Sequence, residues 1–229
     1  MKFFKSLIKK LPFFIAANIV FVIIIFISKS EGNIVPPTSI IGGFLSVFII
    51  TLLLIKFPLR IYLEALIFDI SAVCFGSILR FYSKIAYYDK FVHFMSGLIL
   101  ADIGIVLIDF ILKKEESKPL PRVSLIFAAI FSFAGAAIWE IYEFAGDTLL
   151  GLNMQKCLLQ DGTELVGKAA VADTMKDLIV DAIGAVIAAA CSAFSLKKKS
   201  EWIFPCKTVE TSQHTVQTAL SNEALTYTA

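Results

Sequence analysis

Glu140, Glu143 and Asp147 are spaced so that, at 100° per residue, they fall at about 0°, 300° and 340° around a helix, on one stripe. They close an apolar run that begins near Val123 and is long enough to cross a bilayer. A carboxylate at membrane depth costs about 2.5 kcal/mol or more unless it meets a partner, a cation or water. Three on one stripe therefore need company. Asp89 and His93, four apart, share another helix face. Asp173, Asp177 and Asp181 step by four, drifting by about 40° each time, and form an acidic ridge.

One neutral imidazole with several carboxylates suits a hard or borderline divalent metal ion such as Zn²⁺, Mn²⁺ or Mg²⁺. In that reading His93, Glu140, Asp177 and Asp181 ligate the metal, and Glu143 or Asp173 is the general base on bound water. Lys90 and Arg80 hold a phosphate, and Asp89 and Asp147 extend the candidate site. Plainer readings stand beside these. Asp173 and Asp177 suit the start of a helix, where acids cap free N–H groups. Glu143 and Asp147 suit a solvated interface, Lys90 a snorkelling position, and His93 a structural hydrogen bond. The deeper acids, Glu140 and Asp181, resist that treatment best, though a shared proton or Arg80 would also neutralise them. Trp139, Tyr142, Tyr87 and Tyr88 fit an aromatic belt.

The elements that must position these residues are read as helices crossing a membrane. The chain has 229 residues, 58% of them hydrophobic, with mean hydropathy +0.81, where a soluble domain sits at roughly 45–50% apolar. The fold class expected is all-α and polytopic, with about six transmembrane helices. Their spans are about 11–27, 38–55, 61–81, 89–112, 123–144 and 173–196, in a domain covering 1–199. Residues 200–229, rich in Thr and Ser, read as a disordered cytoplasmic tail. Proline is read as a boundary, and none is expected inside a span. The third run is the least clean, since it carries Glu64, Asp69 and Arg80. Residues 149–159 are apolar enough for the interface and too short to cross.

With the amino terminus inside, inner segments hold fourteen of the 21 Lys and Arg, so both termini are expected to be cytoplasmic. That topology brings the starts of the fourth and sixth spans and the end of the fifth to one outer face. His93, Glu140 and Asp181 then lie at similar depth. The formal charge of +2 and the lack of a basic stripe argue against nucleic acid as a partner and leave membrane lipid. Cys74, Cys157, Cys191 and Cys206 form no C-x-x-C pair, which argues against a thiolate site.

Tyr88–Phe94 (Tyr-Asp-Lys-Phe-Val-His-Phe) resembles the D-K-x-x-H-F signature of VanZ-like proteins. Trp139-Glu140-x-x-Glu143 with Asp173-Thr174-x-x-Asp177 resembles the uncharacterised bacterial YjdF-type membrane-spanning family, over roughly residues 60–195. The resemblance implies a multi-pass protein of the bacterial plasma membrane with these acids and this histidine as signature positions. VanZ-like members are associated with resistance to glycopeptide antibiotics, and no settled chemistry accompanies that. Three functions compete. One is metal-assisted hydrolysis or transfer on a lipid or cell-envelope headgroup. Another is non-catalytic binding of a lipid or partner. The last is a proton-coupled transporter using Glu140, Asp181, Asp102 and Asp69.

Overall fold

A computed structural model describes residues 2–114, 121–159 and 161–197, so the expected tail at 200–229 lies outside the described residues. The chain is helical throughout: α1 (Lys2–Ser30), α2 (Pro37–Leu53), α3 (Leu59–Asp69), α4 (Phe81–Lys84), α5 (Tyr88–Lys114), α6 (Pro121–Leu150) and α7 (Ala172–Lys197). Among the described residues there are no strands, only a single antiparallel bridge between Leu158 and Glu164. Among the described residues, four stretches are long and apolar enough to cross a membrane: Phe3–Ser30, Leu59–Ile78, Tyr88–Leu112 and Arg122–Leu150. A fifth, Pro37–Leu53, is shorter. The first half of α7 carries Asp173, Lys176, Asp177 and Asp181, which sets it apart from those five. One compact unit, Met1–Ala190, contains every candidate site residue described below.

Prolines mark the starts of helices as expected, with Pro37 opening α2 and Pro58 preceding α3, where a missing N–H costs nothing. Pro12, which the expected first span at about 11–27 already contains, is the exception and lies inside α1. Neighbouring groups and local adjustment can re-satisfy the freed carbonyl in a bilayer helix, so proline there is a weaker boundary than in water. The third crossing is composite. After Asp69 the chain widens into a nine-residue π-helical stretch, Ile70–Ile78, which ends with Leu79 N–H donating five residues back to the Cys74 carbonyl at 2.9 Å. The Tyr88 hydroxyl donates to the Ser71 carbonyl within that stretch at 2.9 Å, tying it to the start of α5.

At the far end of the bundle Lys10 is 2% exposed. Its ammonium donates to the carbonyls of Leu54, Ile55 (2.8 Å) and Phe57 (2.9 Å), the oxygens of the turn that follows α2. The Tyr62 ring lies 5.3 Å from Nζ, and its hydroxyl meets Thr51 Oγ1 at 2.9 Å. Around these groups Phe21, Val47, Leu66 and Cys74 form the packed core of the first three crossings.

Candidate functional site at the α5–α6–α7 end

Two glycines let α5 and α7 touch backbone to backbone. A Cβ at Gly97 would lie 2.3 Å from the Asp181 carbonyl oxygen, and one at Gly184 would lie 2.5 Å from the Phe94 carbonyl oxygen. Neither contact tolerates a side chain, so the small residues expected to allow close approach do so here. Ser132 of α6 donates to the Gly97 carbonyl at 2.9 Å and fixes the third helix against the same turn. The acidic ridge of α7 is thereby pressed onto the Asp89–His93 face of α5.

Lys90 fills the centre rather than snorkelling outward. Its ammonium donates to Asp89 (3.1 Å), Asp173 (2.5 Å) and Asp177 (2.7 Å). Asp177 is 1% exposed, and its second oxygen, Oδ1, also lies 2.7 Å from Lys90 Nζ but has no hydrogen bond. Oδ1 is 3.8 Å from His93 Nε2. The other ring nitrogen, Nδ1, meets Asp181 Oδ2 at 2.8 Å, while Ser96 donates to Asp181 Oδ1. Asp181 thus orients the imidazole and leaves Nε2 pointing toward Asp177. This is the carboxylate–histidine pairing that commonly stands behind a metal ligand.

One ligand atom each from Asp89, His93 and Asp177 lies within 4.8 Å of the others, a group able to hold a metal ion. Two of the four expected ligands are in this group, joined by Asp89. Asp181 belongs behind the histidine, and Glu140 stands outside the trio. Glu140 is 5% exposed, and neither of its oxygens accepts a hydrogen bond. Thr174 and Gln155 are the donors that stand toward it, short of full hydrogen-bond geometry, and His93, Asp173 and Glu143 are charged neighbours. Glu143, also buried, accepts from Trp139 Nε1 at 2.8 Å, so that tryptophan has a task beyond an aromatic belt.

Helix α6 runs past the expected fifth span, about 123–144, to Leu150, so all three of its acids remain on one helix, and Leu149 and Leu150 end it. Asp147 spends its oxygens on the following loop, accepting from the backbone N–H of Met154 (2.7 Å) and Gln155 (3.0 Å). The loop folds back over the cluster. Gln155 Nε2 donates to Thr174 Oγ1 at 2.8 Å, and Lys156 donates to Asp89 at 2.5 Å and lies 3.2 Å from Asp173 Oδ2. Lys156 does this from a left-handed backbone, φ 52°, a conformation a non-glycine residue adopts only where its surroundings impose it. Burial works against its charge, but the Asp89 hydrogen bond and the Asp89 and Asp173 charges outweigh that and raise its pKa above the ordinary lysine value.

Arg80 is exposed at the left-handed residue preceding α4 and makes none of the cluster's ion pairs. Asp102 pairs with Arg60 at 3.1 Å, and Asp69 is buried beside Ser46 and Cys74, so these acids keep company away from the cluster. Sequence reasoning missed Lys156, Gln155 and Thr174. A lysine in a glycine-rich loop announces nothing by itself, and only the Asp147 anchor points its neighbours inward. Tyr82 of α4 was missed too. Burial, with the Asp89, Tyr88 and Glu143 charges adding to it, raises its phenol pKa and places it against the same acids.

The model of a family described as "Predicted membrane protein (DUF2238)" matches residues 10–198. It is the YjdF-type family that the Trp139–Glu143 and Asp173–Asp177 motifs resemble. Comparison with curated proteins and with solved structures finds no match.

Proposed function

We propose, for a chain that belongs to the DUF2238 family of membrane proteins, that the α5–α6–α7 end binds one divalent cation on Asp89, His93 and Asp177. The ion serves hydrolysis or group transfer at a lipid or cell-envelope headgroup, on the outer face of the bacterial plasma membrane. The observation that carries this reading is the seating of His93. Asp181 holds one ring nitrogen, and the other faces, at 3.8 Å, a buried carboxylate oxygen whose present counter-ion is the Lys90 ammonium at 2.7 Å. The Zn²⁺, Mn²⁺ or Mg²⁺ accepted there would supply an acidified water and a Lewis acid. Of the two candidate bases, Asp173 is engaged by both lysines, which leaves Glu143 the freer. Lys90, once parted from Asp89 and Asp177, suits the phosphate of a headgroup. The likeness of Tyr88–Phe94 to the VanZ-like signature supports an envelope-directed role.

A second reading has its own observation. Lys90 already sits among Asp89, Asp173 and Asp177 as their counter-ion, which suits a non-catalytic protein that binds a lipid or partner through this pocket. The transporter reading loses support, because Asp69 and Asp102 are not drawn into a path with Glu140 and Asp181. Metal analysis of detergent-purified full chain decides between the first two. Stoichiometric zinc or manganese in the wild type, lost in His93→Ala, is expected. Absence of any divalent ion even after titration would leave the ion-pair network as the whole content of the site.

A further inference from the structure

Asp89 is claimed twice. Lys90, at 3.1 Å, and Lys156, at 2.5 Å, both donate to its Oδ2. The same two ammonium groups share Asp173, with Lys90 on Oδ1 at 2.5 Å and Lys156 at 3.2 Å from Oδ2. A divalent ion held by Asp89, His93 and Asp177 brings a further positive charge close to both lysines, and like charges so near one another repel strongly outside bulk water. Asp89 cannot serve the ion and keep both ammonium groups.

The two lysines are not equally free to yield. Lys90 stands on α5 with its side chain 15% exposed, and it retains Asp173 when it parts from Asp89 and Asp177. Lys156 pairs with Asp89 and Asp173, of which the ion takes the first and Lys90 holds the second. Its side chain is 40% exposed, so water can resolvate the ammonium as it leaves. Its backbone lies in the left-handed region, φ 52°, which a residue with a side chain abandons once nothing holds it there. The segment that carries it leaves α6 through Gly151, at φ 64° with nothing within 4 Å of where a Cβ would stand. Beyond that hinge Asp147 ties the N–H groups of Met154 and Gln155, and Cys157 Sγ donates to the Ala170 carbonyl at 3.3 Å.

We propose that Lys156 is a tethered competitor for the cation. It occupies Asp89 until an ion takes that carboxylate, and its expulsion frees the 151–157 strap from the site. This role rests on the Asp89–His93–Asp177 reading above and adds what regulates entry to it. The apparent affinity for the ion is lowered by the share of molecules in which Lys156 is seated, so whatever loosens the strap tightens the ion. The coupling is reciprocal, and the ion in turn loosens the strap.

The test pairs a Mn²⁺ titration, read by the paramagnetic resonance of free Mn²⁺, with alkylation of Cys157 by a water-soluble maleimide. Both use the detergent-purified full chain carrying Cys74→Ala, Cys191→Ala and Cys206→Ala as the parent, and thermal unfolding confirms that each variant folds. A part-exposed ion pair sets the scale, so Lys156→Met should bind Mn²⁺ about fivefold more tightly than the parent. Mn²⁺ should speed Cys157 alkylation severalfold in the parent, and Lys156→Met should react faster than the parent without the ion. Asp147→Ala unties Met154 and Gln155, and it too should bind Mn²⁺ more tightly, although it removes a negative charge. It stands in should Lys156→Met not fold. Equal affinity in the parent and Lys156→Met, or weaker binding by Asp147→Ala, overturns the competitor and leaves the metal site standing. A Cys157 rate that Mn²⁺ leaves unchanged while it binds overturns the release of the strap. No Mn²⁺ binding by the parent or by either variant removes the metal reading itself, and this role with it.

Discussion

Two lysines, Lys10 buried and Lys90 half-buried, stand at opposite ends of this bundle, and they are held in opposite ways. Lys10 caps the end of α2, giving its protons to the carbonyls of Leu54, Ile55 and Phe57 under the face of Tyr62. Lys90 gives its protons to Asp89, Asp173 and Asp177. Neutral carbonyl dipoles make a fixed socket for one cation and nothing else, because they cannot change charge. Carboxylates make an exchangeable socket. They accept a lysine, a proton or a metal ion, and the identity of the cation can vary without loss of the cluster. The Lys10 end is therefore architecture, while the Lys90 end has the chemistry of a site.

Replacing each lysine by methionine breaks or sharpens that contrast. Lys90→Met should be the more damaging, by about 3–5 kcal/mol, because it strands buried carboxylates against one another. The damage should be repaired by a few millimolar divalent cation or by acid, either of which supplies the missing positive charge. Thermal unfolding in detergent with and without Mn²⁺ measures this. Equal damage with and without the ion would show that the Lys90 socket is as fixed as the Lys10 one.

Lys10→Met should cost less, about 3 kcal/mol, since the carbonyls it leaves carry no charge and those of Leu54 and Ile55 keep the Phe57 N–H and the Ser6 hydroxyl as donors. Neither divalent cation nor a change of pH between 5 and 8 should restore it. Rescue of Lys10→Met by Mn²⁺ in the same unfolding assay would erase the distinction drawn between the two ends.

The contrast was half visible in the sequence. The i, i+4 spacing of Asp89 with His93, the ridge of Asp173, Asp177 and Asp181, and the stripe of α6 all follow from helical period, and the structure places them together. Period says which residues share a face, however, and not which atom of a partner they meet. So Asp181 looked like a ligand and stands behind the imidazole, and Glu140 looked like its companion and stands apart. Lys10 was indistinguishable from Lys2, Lys5 and Lys9, because a cap on another helix's carbonyls leaves no local pattern. The π-helical stretch after Asp69 escaped for a related reason. Its sequence is an ordinary apolar run, and the wider turn shows only in its hydrogen bonds, such as that from Leu79 N–H five residues back to the Cys74 carbonyl.

The smallest effect belongs to the residue that no pattern revealed. Lys156 joins the loop to Asp89 and Asp173, but its side chain is 40% exposed, so solvent and salt screen the pairs. Lys156→Met should cost no more than about 1 kcal/mol, and less at high ionic strength. The sign of its pH dependence follows from its raised pKa. A lysine that holds its proton more tightly when folded contributes fully below the unfolded value of 10.5 and loses that contribution as pH climbs through the higher folded value. The gap in stability between wild type and Lys156→Met should thus be constant from neutral pH to about 10.5 and close above it. A gap that instead widens as pH rises toward 10.5 would mean that Lys156 is held as a neutral amine. In that case the loop is fastened by Asp147 and Gln155 alone, and the Lys90 socket has a single resident cation to exchange.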